Sequence, residues 1–162
     1  MKFKKRLADT DARMSCHIVT VPSAVMTQAM AAAGADSLII DLEHGAVDYG
    51  TAHAMIAATK GYDCAPLVRI AENTDAQVKR VLDLGAEGIV FPLVEDGATA
   101  EWAVSSLRYP PHGRRTFGPF IAHSHENVPL PAYAQAFVGR QLDRGSGAFE
   151  QTLVQALRQD IA

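Results

Sequence analysis

The sequence is short of most features that announce a function. Its two cysteines, Cys16 and Cys64, stand far apart with no C-x-x-C spacing, which argues against a disulfide framework or a thiolate zinc centre and fits a reducing, cytoplasmic setting. Neither sign of charge dominates. A net charge of -3 and a pI near 6.0 give no general attraction for phosphate backbones or anionic lipid, so nucleic acid and membrane are excluded as first partners. No apolar run approaches the roughly 18 residues of a membrane span. The basic cluster Lys2 to Arg6 is followed by Leu7-Ala8-Asp9-Thr10-Asp11, where a secretory leader needs an apolar stretch. There is no G-x-G-x-x-G after the first strand and no Walker sequence; Gly145-Ser146-Gly147 lacks both the third glycine and a preceding strand and reads as a flexible turn.

What is present is ordinary globular composition, 48% hydrophobic and 20% charged over 162 residues, enough for one domain with a buried core. As far as Pro110 the chain alternates strand and helix. The apolar runs Ile18 to Val21, Ser37 to Asp41, Pro66 to Ile70 and Gly88 to Leu93 read as strands. Pro22-Ser23 opens a helix whose periodic positions Val25, Met26, Ala29, Met30 and Ala33 should face inward before Gly34 stops it. Asp48 caps a second helix that buries Ala52, Met55 and Ile56 and ends at Gly61. Thr74-Asp75-Ala76-Gln77 has capping-box spacing for a third, with Val78, Val81 and Leu82 inward and Gly85 at its end. A fourth runs from about Ala98, with Ala100, Ala103, Val104 and Leu107 inward, until Pro110-Pro111 forbids continuation. Gly34-Ala35-Asp36 before Leu38-Ile39-Ile40 recurs as Gly85-Ala86-Glu87 before Ile89-Val90-Phe91, a faint βα repeat that implies a parallel sheet covered by helices, either open or a barrel. Thr116 to Pro131 then reads as a long loop. Phe149, Leu153, Leu157 and Ile161 predict an amphipathic helix at the end.

Chemistry concentrates at Asp41-Leu42-Glu43-His44-Gly45, where a strand delivers two carboxylates and an imidazole into a glycine turn, as barrel strands do at their carboxyl ends. Strand parity puts Asp41 on the same face as Ser37 and Ile39, so its charge needs a partner; alternatively it only caps the following turn. His44 with carboxylates at Glu43 and Asp41 suits a general base. Arg69, near the end of strand three, needs an anion, and either Asp41 or a substrate carboxylate answers. The pair His123 and His125, the arginines Arg108, Arg114 and Arg115, and Trp102 are weaker candidates for a metal pair, a phosphate loop and a packing residue respectively.

The run from Gly34 through Asp41-Leu42-Glu43-His44-Gly45, then Pro66-Leu67-Val68-Arg69, Leu82-Asp83-Leu84-Gly85-Ala86-Glu87-Gly88-Ile89 and Arg108-Tyr109-Pro110-Pro111-His112-Gly113-Arg114, resembles the HpcH/HpaI aldolase/citrate lyase family, collinearly from about Ile18 to Ala122. The resemblance implies an α/β fold, the N-terminal half, about four βα units, of a (β/α)8 TIM barrel, with residues 1–137 as the partial domain and 138–162 as a divergent, helical tail. It implies a metal-dependent class II aldolase cleaving 4-hydroxy-2-oxo acids to pyruvate and an aldehyde, with Mg2+, Mn2+ or Co2+ as cofactor, a small 2-oxo acid as substrate and a homo-oligomeric state. His44 would be the general base and Arg69 would hold the pyruvyl oxygens. Asp41 would orient the histidine region and a metal-bound water, with Glu43 in support. The family's metal-ligating Glu and Asp lie in contexts on later strands that do not occur here, so no metal ligand is identifiable in this chain. It then reads as a truncated member whose second half a frameshift has replaced. The competing readings are a non-catalytic half-barrel that associates with itself or an intact homologue, and a phosphate-ligand binder using the Arg108 to Arg115 loop.

Overall fold

A computed structural model of the chain describes residues 2–9, 11, 13–109 and 112–116. The His123/His125 pair and the helix expected within 138–162 lie outside them. Four parallel strands, β1 (Cys16–Val19), β2 (Ser37–Asp41), β3 (Ala65–Arg69) and β4 (Gly88–Val90), lie side by side in chain order. A short α1 (Lys2–Leu7) precedes them, and α2 (Ala24–Ala32), α3 (Tyr49–Ala58), α4 (Asp75–Asp83) and α5 (Gly97–Leu107) follow the successive strands. The expected N-terminal half of a (β/α)8 barrel is the fold observed.

Local chemistry sets the helix boundaries. The side chains of Ser23, Asp48, Thr74 and Asp96 accept hydrogen bonds from Met26, Thr51, Gln77 and Thr99 backbone N–H groups, removing one orphan donor from each first turn. Gly34 and Gly85 hold φ of 94° and 99°, the left-handed geometry that ends a helix without a Cβ penalty; the sequence repeat is thus a repeated helix stop. The fourth cap, Asp96, begins α5 at Gly97 rather than at Ala98.

Three strands differ from the expected spans because hydrogen bonding, not apolar character, fixes their ends. β1 starts at Cys16, paired with Ser37, and stops at Val19, since Val21 turns to accept the Ser23 N–H ahead of α2. β3 is displaced by one residue, and β4 ends at Val90, before Leu93 takes a φ of 50°. Parity holds throughout. Leu38, Ile40 and Val68, all fully buried, point into the helical layer against Ala31, Met55, Ile56, Val78 and Val81. The opposite, concave face carries the aligned Ile18, Ile39 and Leu67 and ends in Asp41, Arg69 and Val90.

Two helices match the expected faces only in part, with Met30 of α2 and Ala103 and Leu107 of α5 turned to the core. In α2 the buried residues are Thr27 and Ala31, with Ala24 and Met30 partly covered, whereas Ala29 and Ala33 are exposed and Val25 is 78% and Met26 46% exposed. A helix of alanines and methionines has no single apolar stripe, and Thr27 can turn inward because its hydroxyl donates to the Ser23 carbonyl. In α5, Ala103 and Ser106 are buried, while Ala100 and Val104 face out. The Ser106 hydroxyl is likewise satisfied by the Ala103 carbonyl. Where the pattern is cleaner, in α3 and α4, the inward residues are those expected. The cluster at Lys2 to Arg6 forms α1, which Arg6 ties to Asp36 at the start of β2.

Candidate active site

The site lies at the carboxyl ends of β2 and β3. Asp41 and Arg69 close these strands in register, so both side chains stand on the concave face at the same height. Asp41 is fully buried, and both of its oxygens are hydrogen-bonded. Its Oδ1 accepts from Arg69 Nε at 2.9 Å and from the backbone N–H groups of Glu43 at 3.0 Å and His44 at 3.3 Å; its Oδ2 accepts from Arg69 Nη2 at 2.7 Å. A carboxylate has about four lone-pair positions, two on each oxygen; three donors crowd Oδ1 and one meets Oδ2. The bidentate guanidinium contact, reinforced by the two N–H groups, holds the Asp41 carboxyl down at about 2 against the opposing effect of burial. The same contact raises the Arg69 pKa.

Of the two readings open for Asp41, the structure realises both, as partner of Arg69 and as cap of the turn that carries Glu43 and His44. The turn is further tied by Leu42 N–H to the Arg69 carbonyl at 2.9 Å. Gly45 completes it: a Cβ there would collide with the Asp41 carbonyl oxygen and crowd Thr20 at 3.2 Å, so no larger residue fits without moving the turn.

Glu43 and His44 extend the cluster unequally. Glu43 is largely buried, with Oε2 3.2 Å from Arg69 Nε and Oε1 3.6 Å from His44 Nε2, while the His44 side chain is 72% exposed. Arg69 is thus braced by two carboxylates and 25% exposed, and among the described residues its Nη1 has no hydrogen-bond or ion-pair partner. The result is a braced cation with one edge that no described residue engages, on the same Glu43 carboxylate as an exposed imidazole.

Arg114, Arg115 and Trp102 are engaged elsewhere. Arg114 pairs with Asp75 at 3.1 Å and lies over the Trp102 ring, and Arg115 pairs with Asp83 at 3.0 Å and lies over Tyr109. Two of the three arginines proposed for a phosphate loop therefore serve packing. Trp102 itself meets Phe91 edge to face. Asn73, unremarked in the sequence, donates from Nδ2 to the Pro92 carbonyl at 2.7 Å and ties the ends of β3 and β4; its signal was an asparagine between a strand end and a helix cap.

Among the described residues, no three His, Cys, Asp or Glu side chains converge as a set of metal ligands. Among the described residues, no helix is long and apolar enough to cross a membrane.

The chain is 33% identical over 141 residues to the 5-keto-4-deoxy-D-glucarate aldolase of Escherichia coli, an alignment covering 80% of this chain and 55% of that one. Among solved structures it resembles the HpcH/HpaI aldolase from Desulfitobacterium hafniense DCB-2, with TM-score 0.70 and 30% identity over 82% of this chain and 51% of that one. It also resembles an HpcH/HpaI aldolase/citrate lyase family protein from Burkholderia cenocepacia J2315, with TM-score 0.73 and 29% identity over 84% and 56%. The chain spans about half the length of the curated relatives it matches. The family model for HpcH/HpaI aldolase/citrate lyase matches residues 18–152, past the point at Val138 from which the sequence reads as an unrelated tail, and the chain belongs to that family.

Proposed function

We propose that this chain carries the acid–base and anion-binding half of a carbon–carbon lyase that cleaves a 4-hydroxy-2-oxo acid to pyruvate and an aldehyde. The observation that supports this reading best is the guanidinium edge of Arg69 that no described residue engages, braced by Asp41 and Glu43, with the exposed His44 paired to the same Glu43 at the strands' carboxyl end. Active sites of (β/α)8 barrels gather at that end.

The chemistry follows from those groups. Arg69 pairs through Nη1 with the substrate's carboxylate and 2-oxo oxygen. His44 takes the proton from the 4-hydroxyl, the bond between C3 and C4 breaks, and its electron pair moves onto C3 and into the 2-oxo group as the aldehyde leaves. The enolate so formed is stabilised by the fixed positive charge of Arg69, which need not reorganise as charge develops. Protonation at C3 yields pyruvate. Asp41 acts as a positioning residue, fixing both the Arg69 fork and the turn bearing His44.

The test uses the whole chain with Mg2+, Mn2+ or Co2+ added in turn, following pyruvate release from a 4-hydroxy-2-oxo acid and loss of the pyruvate methyl signal in D2O by NMR. Turnover is expected to fall roughly 100-fold or more in His44→Ala, the scale of a positioned general base, and comparably in Arg69→Ala. Turnover that His44→Ala leaves unchanged, or none in any metal, rejects the reading for this chain.

A further inference from the structure

Glu43 stands between the two side chains to which the proposed reaction gives separate tasks. Its own side chain is 18% exposed, with Oε2 3.2 Å from Arg69 Nε and Oε1 3.6 Å from His44 Nε2. Neither contact is a hydrogen bond. Arg69 Nε has a single N–H, which Asp41 Oδ1 takes at 2.9 Å, and 3.6 Å to the imidazole is beyond hydrogen-bonding reach. Glu43 thus holds Arg69 by charge alone, whereas Asp41 holds it bidentately. The backbone beside Glu43 is fixed. Its N–H and that of His44 both donate to Asp41 Oδ1, and Gly45 packs the turn against Thr20 at the exit of β1. Among the described residues, the charged groups in contact with His44 and its turn are Glu43 and Asp41 of the turn itself and Arg69 of β3. Asp41 is committed to its guanidinium and backbone donors, which leaves Glu43 as the carboxylate able to change partner.

We propose that Glu43 couples anion binding to proton transfer: a substrate carboxylate on Arg69 takes over the guanidinium charge, and the Glu43 carboxylate closes on His44 Nε2. This role rests on the lyase reading given under the proposed function. The movement required is small, since a shift of roughly half an ångström brings Oε1 within hydrogen-bond distance of Nε2. Glu43 is a positioning residue, because it acts through Arg69 and His44. With the Nε2–H turned to Glu43, the lone pair that receives the 4-hydroxyl proton is on Nδ1. The imidazolium so formed carries both ring protons, and Glu43 compensates its charge. While Arg69 has no other anion, it competes for the same carboxylate. The base therefore gains its partner only when the site is occupied.

The test is an NMR titration of the imidazole ring protons in the whole chain, with and without pyruvate as the anion. His44 is the signal missing from His44→Gln among the chain's 6 histidines. Pyruvate should move the His44 midpoint upward by roughly one pH unit, and by less than half of that in Glu43→Gln with its far-UV spectrum unchanged. A second measure needs no Glu43 variant. Linkage makes the two effects reciprocal, so pyruvate should bind the unmodified chain about tenfold more tightly below the His44 titration than above it. His44→Gln should erase that difference. An upward shift of full size in folded Glu43→Gln overturns the coupling, since pyruvate's own charge then acts on His44 directly, and it leaves the lyase reading in place. A His44 midpoint indifferent to pyruvate, in a chain that binds pyruvate and releases it from a 4-hydroxy-2-oxo acid, overturns the coupling in the same way. A chain that binds no pyruvate loses both the coupling and the reading beneath it.

Discussion

Asp41 gives the site its pH dependence. Its carboxyl is held at about 2, chiefly by Arg69, against an ordinary value of 3.8. A depressed carboxylate contributes stability that is whole above the unfolded value near 4 and is lost as the pH falls through the folded value. The difference corresponds to about 2 kcal/mol. Urea denaturation at pH 7 and pH 2.5 should show Asp41→Asn losing about that much at the higher pH and much less at the lower. Equal losses at both would mean that packing, not charge, is what Asp41 supplies. This residue also shows what was legible in advance. Its parity and need for a partner followed from alternation along β2, and Arg69 followed from the matching place on β3. The crowding of its Oδ1 did not, because two of that oxygen's three donors are backbone groups whose direction depends on how the chain folds after Leu42.

At the scale of the element, legibility tracked the contrast between faces. In α4 charged residues separate Val78, Val81 and Leu82, and the buried set was read correctly. In α2 and α5 scattered alanines, with threonine or serine able to satisfy its hydroxyl on the helix backbone, leave several faces equally burial-worthy, and the apparent period was right only for Met30 in α2 and for Ala103 and Leu107 in α5. The capping box of α4 is likewise only half formed. Thr74 accepts from Gln77 N–H, but the Gln77 side chain accepts from Ala71 and Glu72 N–H instead of returning to the cap. That arrangement joins the β3 end to the helix start, so Thr74→Ala should cost about 1 kcal/mol, and Gln77→Ala should loosen the loop after Arg69. Thermal unfolding of the first and amide exchange at Ala71 and Glu72 in the second measure these effects. An unchanged melting temperature in Thr74→Ala would show the cap to be dispensable.

For the molecule as a whole, a single apolar cluster joins β1 to β3 with α2, α3 and α4, and Trp102 of α5 packs against it through Phe91. Unfolding should therefore be one cooperative event, with tryptophan fluorescence and far-UV circular dichroism giving the same midpoint. A fluorescence midpoint at lower denaturant would mean that α5 detaches first. The layering of the fold was legible because strands and helices alternate with clear stops; which side of the sheet the helices cover was not, since a parallel strand is apolar on both faces.

The strand order β1-β2-β3-β4 also bears on the birth of the protein. Each strand pairs with the one synthesised just before it, so as the chain leaves the ribosome N-terminus first, every new βα unit finds its template already exposed. Assembly of the sheet can keep pace with translation.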